Sequence, residues 1–429
     1  MTRLLPALTA AVLLQACSGM RTYPDVEARE PITAQSQASR PVTLGKVRFD
    51  IEPGTVVLKG LTGVQCGNDD NVAWNGTHPD ILTQDLGHSF YREFQAAHYA
   101  VVDTGEDLFD SGRAARAELL VGAIVVSMST DICHPWAGVG VFGDVKGTSY
   151  IRIKWQIYDA LAQKIVYLGT SEGRFDITQN EQNGWRAYLD HAMDLAVRNL
   201  LADQRLSQAL LSEPQLTDQP APQSDAAAAT SSYAASIPIT AAQPASGIEA
   251  PRAATVVVTT AAALGSGVII SPDGYILTNY HVVQDAARVR VRLADNREQI
   301  AYVLRRDSRR DVALLKLDGS GYPAAALRLS PDVQVGDEVF AIGSPWEEQN
   351  ALTVTRGIIS AFRSVRGYPI IQSDVSIQHG NSGGPLVDRD GKVIALCVAG
   401  LMSAANTSEG LNFFIPIDDA INRLHIQFQ

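Results

Sequence analysis

The sequence predicts a multidomain chain, an α+β domain followed by an all-β domain of barrel or sandwich type. Three observations carry this. Residues 79–98 place Leu82, Leu86, Phe90 and Phe94 at near-helical spacing, while Tyr150 to Tyr158 alternates polar with apolar side chains as a half-buried strand does. Residues 214–250 are dominated by Ala, Pro, Gln, Ser and Thr. After Ala254 the texture changes to short β-prone runs broken by Gly, Asp and Asn turns, without long helices.

The totals agree. The chain has 429 residues, 46% of them hydrophobic, enough for two or three cores and too much for wholesale disorder. Net charge is −11, and nearly all of the acidic excess lies before residue 250. Neither half has the basic footprint of a nucleic-acid binder. Arg305-Arg306-Asp307-Ser308-Arg309-Arg310 is the one basic cluster and reads as a solvated turn beside a strand. The four cysteines, Cys17, Cys66, Cys133 and Cys397, lack zinc spacing and contain no CxxC pair.

The chain opens MTRLLPALTAAVLLQACSGM, with Arg3 ahead of an apolar run from Leu4 to Leu14. That run is too short to span a bilayer as a stable helix and suits a signal peptide over residues 1–16. It ends in Leu14-Gln15-Ala16-Cys17, which resembles the lipobox of bacterial lipoproteins. The resemblance implies cleavage before Cys17 and lipidation of that cysteine. Ser18, where an aspartate would favour inner-membrane retention, points to the outer membrane facing the periplasm. The plainer alternative is an ordinary secretory signal with an incidental cysteine. Several acyl chains would anchor the protein firmly, since one alone is marginal. Residues 17–40, rich in Pro, Gln, Ser and charge without an apolar period, read as a tether.

Residues 41–213 read as the α+β domain. Val47–Ile51 and Thr55–Leu58 suggest strands about the turn Glu52-Pro53-Gly54, and Leu119 to Val126 is a further β-prone run. Tyr150 to Tyr158 pairs with Ile165 to Leu168 as a hairpin. Asn183-Gly184 introduces a helix with Leu189, Met193, Val197 and Leu200 on one face. Helices packed on an antiparallel sheet follow. No catalytic constellation emerges here, and no cofactor is expected. Cys66 and Cys133 lie in loops rich in Gly, Asp and Asn; in an exported chain a disulfide between them is expected. The competing idea, a metal site of Cys66, His78, Cys133 and His134, is disfavoured. The domain is expected to bind a protein partner, to localise the chain or to restrain it.

Residues 214–250 read as a flexible linker spanning roughly 30–40 Å, against the alternative of an Ala226–Ala229 helix packed on a domain. Residues 251–429 form the second domain. Gly267–Ser271 and Tyr275–Thr278 flank Pro272-Asp273-Gly274, a hairpin signal. Further runs are Val289–Leu293, Ile300–Leu304, Val312–Leu317, Glu338–Ile342, Leu352–Ile359, Pro369–Gln372, Val393–Val398 and Leu411–Ile415, with a closing helix after Pro416.

Three elements in this domain carry chemistry. His281 follows a strand, Asp311 opens Asp-Val-Ala-Leu-Leu-Lys-Leu, and Ser382 lies in Gln378-His379-Gly380-Asn381-Ser382-Gly383-Gly384-Pro385-Leu386. A serine hydroxyl is a weak nucleophile unless a base is held beside it and the base is itself oriented. Singly, a histidine after a strand is usually structural. Together, His, Asp and Ser in this order resemble the chymotrypsin-like arrangement. Gly265-Ser266-Gly267-Val268-Ile269-Ile270-Ser271-Pro272-Asp273-Gly274-Tyr275 and Gly380-Asn381-Ser382-Gly383-Gly384-Pro385 narrow the resemblance to trypsin-like proteases of the HtrA/Deg family, through about residues 254–429.

That resemblance implies a chymotrypsin-like double β-barrel and protein or peptide substrates. It implies His281 as base, Asp311 as orienting acid and Ser382 as nucleophile, with the N–H groups of Gly380 and Ser382 as oxyanion donors. Ile377 matches the position that lines the specificity pocket, so small or medium aliphatic residues are expected before the scissile bond. His379 is expected to face substrate or solvent, and Cys397 to be a buried apolar residue. Neither cofactor nor metal is implied. Family members commonly continue into PDZ domains; here Gln429 follows closely on the last barrel strand, so none is expected. Two readings follow: a membrane-anchored serine endopeptidase, or a lipoprotein scaffold whose protease-like body is latent or regulatory.

Overall fold

The computed structural model describes residues 19–34, 39–62, 66–76, 79–102, 113–134, 145–179, 185–214, 236–243, 247–329, 333–344, 352–378, 380–398 and 412–429. Cys17, His78, Trp136, His379 and most of the 214–250 linker lie outside them. No described helix is long and apolar enough to cross a membrane.

The first domain is a six-stranded sheet with helices against one side. Its strands are β1 (Val42–Phe49), β2 (Val56–Thr62), β3 (Asn68–Ala73), β4 (Leu119–His134), β5 (Lys146–Asp159) and β6 (Lys164–Ile177). Its helices are α1 (Pro79–Ala96), the short α2 (Arg113–Arg116), α3 (Trp185–Leu201) and α4 (Gln204–Leu211). The sheet runs β3-β2-β4-β5-β6. The long β4 takes both β1 and β2 in parallel along one edge, and β5 antiparallel along the other. The periodicities decide what is buried. Leu82, Leu86, Phe90 and Phe94 of α1 meet Leu189, Met193, Val197 and Leu200 of α3 over Ile151, Ile153, Trp155 and Ile157 of β5. The polar partners in β5, Arg152, Lys154 and Gln156, are exposed.

Cys66 and Cys133 form a disulfide, with Cα atoms 5.6 Å apart, that ties the loop after β2 to the end of β4. Both sulfurs are therefore unavailable as metal ligands.

Three expectations need correction. The first domain's sheet is mixed rather than antiparallel, because β1 and β2 both run parallel to β4. The stretch 17–40 is not a free tether where it is described. Gly19 N–H donates to Cys66 O, Ile32 N–H to Leu201 O and Arg40 N–H to Leu210 O. Arg21 Nε donates to Asp131 Oδ1 at 2.8 Å, and Asp131 is fully buried. Backbone pairing and one ion pair need no apolar period, so composition alone does not reveal them. The linker also ends early. Residues 237–239 form strand β7 (Ile237–Ile239), and Glu249–Ala254 forms helix α5. β7 pairs in parallel with the chain's last strand, and Ile239 is 1% exposed. Three residues with a central proline are too short to register as a strand in the sequence.

The second domain is two closed six-stranded barrels. The first uses β8 (Thr255–Thr259), β9 (Leu264–Ile269), β10 (Tyr275–Thr278), β11 (Arg288–Arg292), β12 (Glu298–Asp307) and β13 (Val312–Leu317), with the single turn α6 (Tyr280–Val283) between β10 and β11. The second uses β14 (Glu338–Gly343), β15 (Thr353–Val365), β16 (Tyr368–Ser373), β17 (Pro385–Asp388), β18 (Val393–Val398) and β19 (Asn412–Pro416). Helix α7 (Ile417–Arg423) and β20 (Ile426–Phe428), the partner of β7, close the chain. β17 is only four residues long and leaves no pattern in the sequence, yet it closes the second barrel. The fold is the expected double β-barrel behind an α+β domain.

Candidate active site

The β10–β13 ladder brings the first two residues together. The strands pair antiparallel with Thr278 opposite Ala313, so the chain leaving β10 passes beside the chain entering β13. His281 sits on α6 just past β10, and Asp311 immediately before β13. His281 Nδ1 lies 2.8 Å from Asp311 Oδ2, and His281 N–H donates to Asp311 Oδ1 at 2.8 Å. Two-point contact fixes the carboxylate edge-on to the imidazole and assigns the ring proton to Nδ1, which leaves Nε2 able to accept one. The imidazole side chain is 42% exposed and the carboxylate 18%.

Asp311 adopts φ +62°, a left-handed conformation unusual for a residue other than glycine. The preceding turn explains it. Asp307 Oδ1 accepts from the N–H groups of Arg309 and Arg310 at 2.9 Å each, winding the chain tightly before β13. The basic cluster is mostly not solvated. Arg305 Nη1 donates to Leu424 O and His425 O, Arg306 Nη1 to Gln284 O, and Arg310 to Asp419 and Pro369 O. Arg305 and Arg310 are 8% and 4% exposed. These side chains moor the turn that carries Asp311 to the end of the chain and to β16.

Ser382 comes from the second barrel, three residues ahead of β17, and is 5% exposed. Its loop is framed by Cys397: Gly383 N–H donates to Cys397 O at 2.9 Å, and Cys397 N–H to Gly384 O at 2.8 Å. The Cys397 thiol is buried, and burial pushes its pKa up, so it stays neutral and packs as a small apolar group. Gly383 has φ +82°, and a Cβ there would sit 2.3 Å from Ser266 O and from Thr278 Oγ1. Only glycine allows the loop so close to the first barrel.

Ser266 joins the two barrels. Its N–H donates to Ser382 O at 2.7 Å and its Oγ to Gly380 O at 2.7 Å. The same Oγ accepts from Ser344 N–H at 3.0 Å, and Thr278 Oγ1 donates to Ser266 O at 2.7 Å. One buried serine thus ties the strand before His281 to both ends of the Gly380–Ser382 segment. Among the described residues no backbone acceptor takes the N–H of Gly380 or Ser382, and no hydrogen bond joins Ser382 Oγ to His281. Loose nucleophile–base spacing is common before substrate is bound. Ile377 is 7% exposed and packs with Val375 and Ile359 in the second barrel's core.

The second domain is similar in sequence to known proteins. The model of the trypsin-like peptidase domain matches residues 265–396, a span that contains His281, Asp311 and Ser382. A DegP-like periplasmic serine endoprotease of Pseudomonas savastanoi pv. phaseolicola is 47% identical over 163 residues, covering 37% of this chain and 33% of that protein. The carboxy-terminal domain is a trypsin-like serine peptidase domain of the HtrA/Deg family. A second DegP-like relative, from Halomonas elongata, is 45% identical over 163 residues, 37% of this chain and 34% of its own. The solved HtrA-type protease AlgW with tripeptide is 37% identical, covers 41% of this chain and 60% of that one, and superposes with a TM-score of 0.38. The chain spans about a third of the length of the curated relatives it matches.

Within this HtrA/Deg-type domain, sequence reasoning missed Ser266, Thr278 and Asn279 as supports. Ser266 lies inside the glycine motif quoted for the resemblance, and Asn279 stands two residues before His281. Their polar types, Ser266 within β9 and Thr278 and Asn279 at the end of β10, were the available signal.

Proposed function

We propose that the chain is a serine endopeptidase of the bacterial cell envelope that hydrolyses peptide bonds of exported or misfolded proteins. The observation that carries this reading is the two-point bond between His281 and Asp311 beside a Ser382 loop stapled to the same barrel. Ser382 Oγ attacks the peptide carbonyl carbon while His281 Nε2 takes the hydroxyl proton. The developing oxyanion is met by the N–H groups of Gly380 and Ser382. When the C–N bond breaks, His281 returns that proton to the leaving amine. Water then attacks the acyl-enzyme, giving a proton to His281, which passes it to Ser382 Oγ as the ester C–O bond breaks and the carboxyl product leaves. Asp311 stabilises the transient imidazolium. Ile377 borders the pocket for the residue before the scissile bond and favours small or medium aliphatic side chains there.

The amino terminus adds location. Residues 1–16 are cleaved as a signal, Cys17 carries lipid, and Ser18 directs the protein to the outer membrane with its domains in the periplasm. Export agrees with the Cys66–Cys133 disulfide. The periplasmic assignment of the DegP-like relatives supports the compartment.

Two experiments test the reading. The soluble form lacking residues 1–20 should label at Ser382 with a fluorophosphonate and cleave casein, with Ser382→Ala as control. Absence of both, alone and with envelope extract, rejects the peptidase. Incorporation of a palmitate analogue should disappear in Cys17→Ala; persistence rejects lipidation at that residue.

A further inference from the structure

The two domains meet through a set of charges placed just beyond His281. Arg288, at the start of β11 in the peptidase domain, donates from Nε and Nη2 to Oε1 and Oε2 of Glu118 at 2.8 Å each. Its Nη1 reaches Glu213 Oε2 at 2.5 Å. Both carboxylates belong to the first domain. Glu118 is 6% exposed and is held from behind by Arg40, whose Nε donates to Glu118 Oε2 at 2.9 Å. Arg40 in turn makes two bonds to Asp159, at 2.6 and 2.9 Å. The Glu118 carboxylate is therefore fixed within its own domain before it meets Arg288. Burial works against the charged guanidinium of Arg288, and the two carboxylates more than offset it.

A second bridge lies beside the first. Arg116 Nη2 donates to Asp285 Oδ2 at 2.6 Å. Asp285 stands beyond α6 with Gln284 between them, four positions after His281, and its Oδ1 faces the Tyr280 hydroxyl at 3.4 Å. Between His281 and Arg288 the chain turns through Gln284 at φ +44°. Arg306 holds this turn from the peptidase side, through Gln284 O at 2.7 Å and Ala286 O at 3.2 Å. The first domain grips the same turn from the other side.

We propose that the first domain is a docked clamp on the turn 280–288. Glu118 holds Arg288, Arg116 holds Asp285, and together they keep His281 where it can serve Ser382. This rests on the peptidase reading for its catalytic consequence, and on the interface alone for the docking. The linker favours docking. It leaves the first domain next to Glu213, itself a contact of Arg288, so the bound state is reached at a high effective concentration. Glu213 and Arg116 are exposed, so their pairs with Arg288 and Asp285 weaken as salt rises, while the buried Arg288–Glu118 pair is screened less.

The docking is tested in the full chain with a site-specific protease recognition sequence inserted between Asp225 and Ala226. After cleavage the two halves should co-elute at low salt, and Arg288→Glu should separate them. Separate elution of the unsubstituted halves, or co-elution of the Arg288→Glu halves, overturns the docking surface. The clamp is tested on uncleaved protein. Arg288→Glu should lose hydrogen-exchange protection in residues 280–288 and label at Ser382 at least about threefold more slowly, small beside the ~10²-fold that a 1 Å misplacement can cost. Asp285 also faces Arg306 at 3.6 Å, so the partner is varied instead: Arg116→Lys, which keeps the charge, should label more nearly like the unsubstituted chain than Arg116→Asp. Unchanged or faster labelling in Arg288→Glu, with the halves separated and both domains folded by circular dichroism, overturns the clamp. If the unsubstituted chain does not label at all, the peptidase reading fails instead. Co-elution then decides the docking, and exchange in residues 280–288 decides the clamp.

Discussion

Asn279 donates its side-chain N–H to the backbone carbonyl of Asp311 at 2.9 Å, across the end of the β10–β13 ladder. The asparagine is fully buried, and the aspartate it holds has a left-handed backbone. One side chain thus links the residue two before His281 to the residue whose carboxylate faces the imidazole. A residue in a sparsely populated conformation persists when its surroundings over-determine it. Here Asn279, the Asp307-capped turn and the arginine moorings do so together.

Asn279→Ala should therefore damage catalysis more than its size suggests. The Asp311 carbonyl loses its buried partner, at about 1–3 kcal/mol of stability. The carboxylate is freed to shift against His281, and kcat should fall about 10- to 100-fold while KM for a short peptide changes little. Steady-state kinetics on a fluorogenic peptide, with a thermal melt in parallel, read both effects. A kcat within twofold of the unsubstituted chain would show that Asn279 does not position Asp311.

Ser266→Ala isolates the barrel staple. The substitution keeps the N–H bond to Ser382 O but removes the hydroxyl from Gly380 O and Ser344 N–H. On the proposed mechanism, Gly380 freed of this bond turns its N–H away from the carbonyl oxygen of a substrate. Loss of one such donor typically costs about 10²–10³ in rate, so labelling of Ser382 should slow by up to that factor. The His281–Asp311 pair lies outside the change, so the pH profile of the residual activity should keep its shape. A displaced profile would place the damage at His281 instead.

The legibility of this protein in its sequence divides along the same line. His281, Asp311 and Ser382 announce themselves by residue type and by glycines that only a close approach requires. The helices of the first domain are visible because Leu82, Leu86, Phe90 and Phe94 repeat at the helical period. Ser266, Asn279 and the arginines at 305, 306 and 310 act mainly through backbone carbonyls far away in the chain, and no local pattern records such a bond. The docking of residues 19–34 and of Ile237–Ile239 was hidden for a related reason. Short extended segments bind by main-chain pairing, which leaves composition unchanged.

Two glycines with positive φ separate conformational strain from steric conflict. Gly54, at φ +89°, has nothing within 4 Å of a built Cβ, whereas Gly383, at φ +82°, would place one 2.3 Å from two oxygens. Gly54→Ala should cost about 1–2 kcal/mol, the left-handed penalty alone, and leave labelling intact. Gly383→Ala must also push the serine loop away from Ser266 and Thr278. It should exceed about 4 kcal/mol or abolish labelling outright. Urea unfolding of the two variants, followed at both domains, makes the comparison. Equal losses would mean that the loop does not depend on the approach to the first barrel.

Acid should loosen the first domain at α4. Asp203 caps that helix, accepting from Arg205 N–H at 2.9 Å, from Arg205 Nη2 at 2.7 Å and from the Tyr167 hydroxyl at 3.0 Å. The Arg205 side chain foremost, working against partial burial, holds the carboxyl below its ordinary value of 3.8. A carboxyl depressed in the folded state stabilises fully above its unfolded pKa and loses that contribution as pH falls through the folded value. The first domain's melting temperature should thus drop on acidification below about pH 4. Asn at this position keeps an acceptor for the helix N-terminus but takes up no proton. Asp203→Asn should therefore melt lower at neutral pH, where the charged bond to Arg205 is gone, and show a shallower slope between about pH 4 and pH 2. Melts followed by fluorescence of the buried Trp155 give both numbers. Parallel slopes in the two proteins would move the acid sensitivity to other carboxylates of the domain.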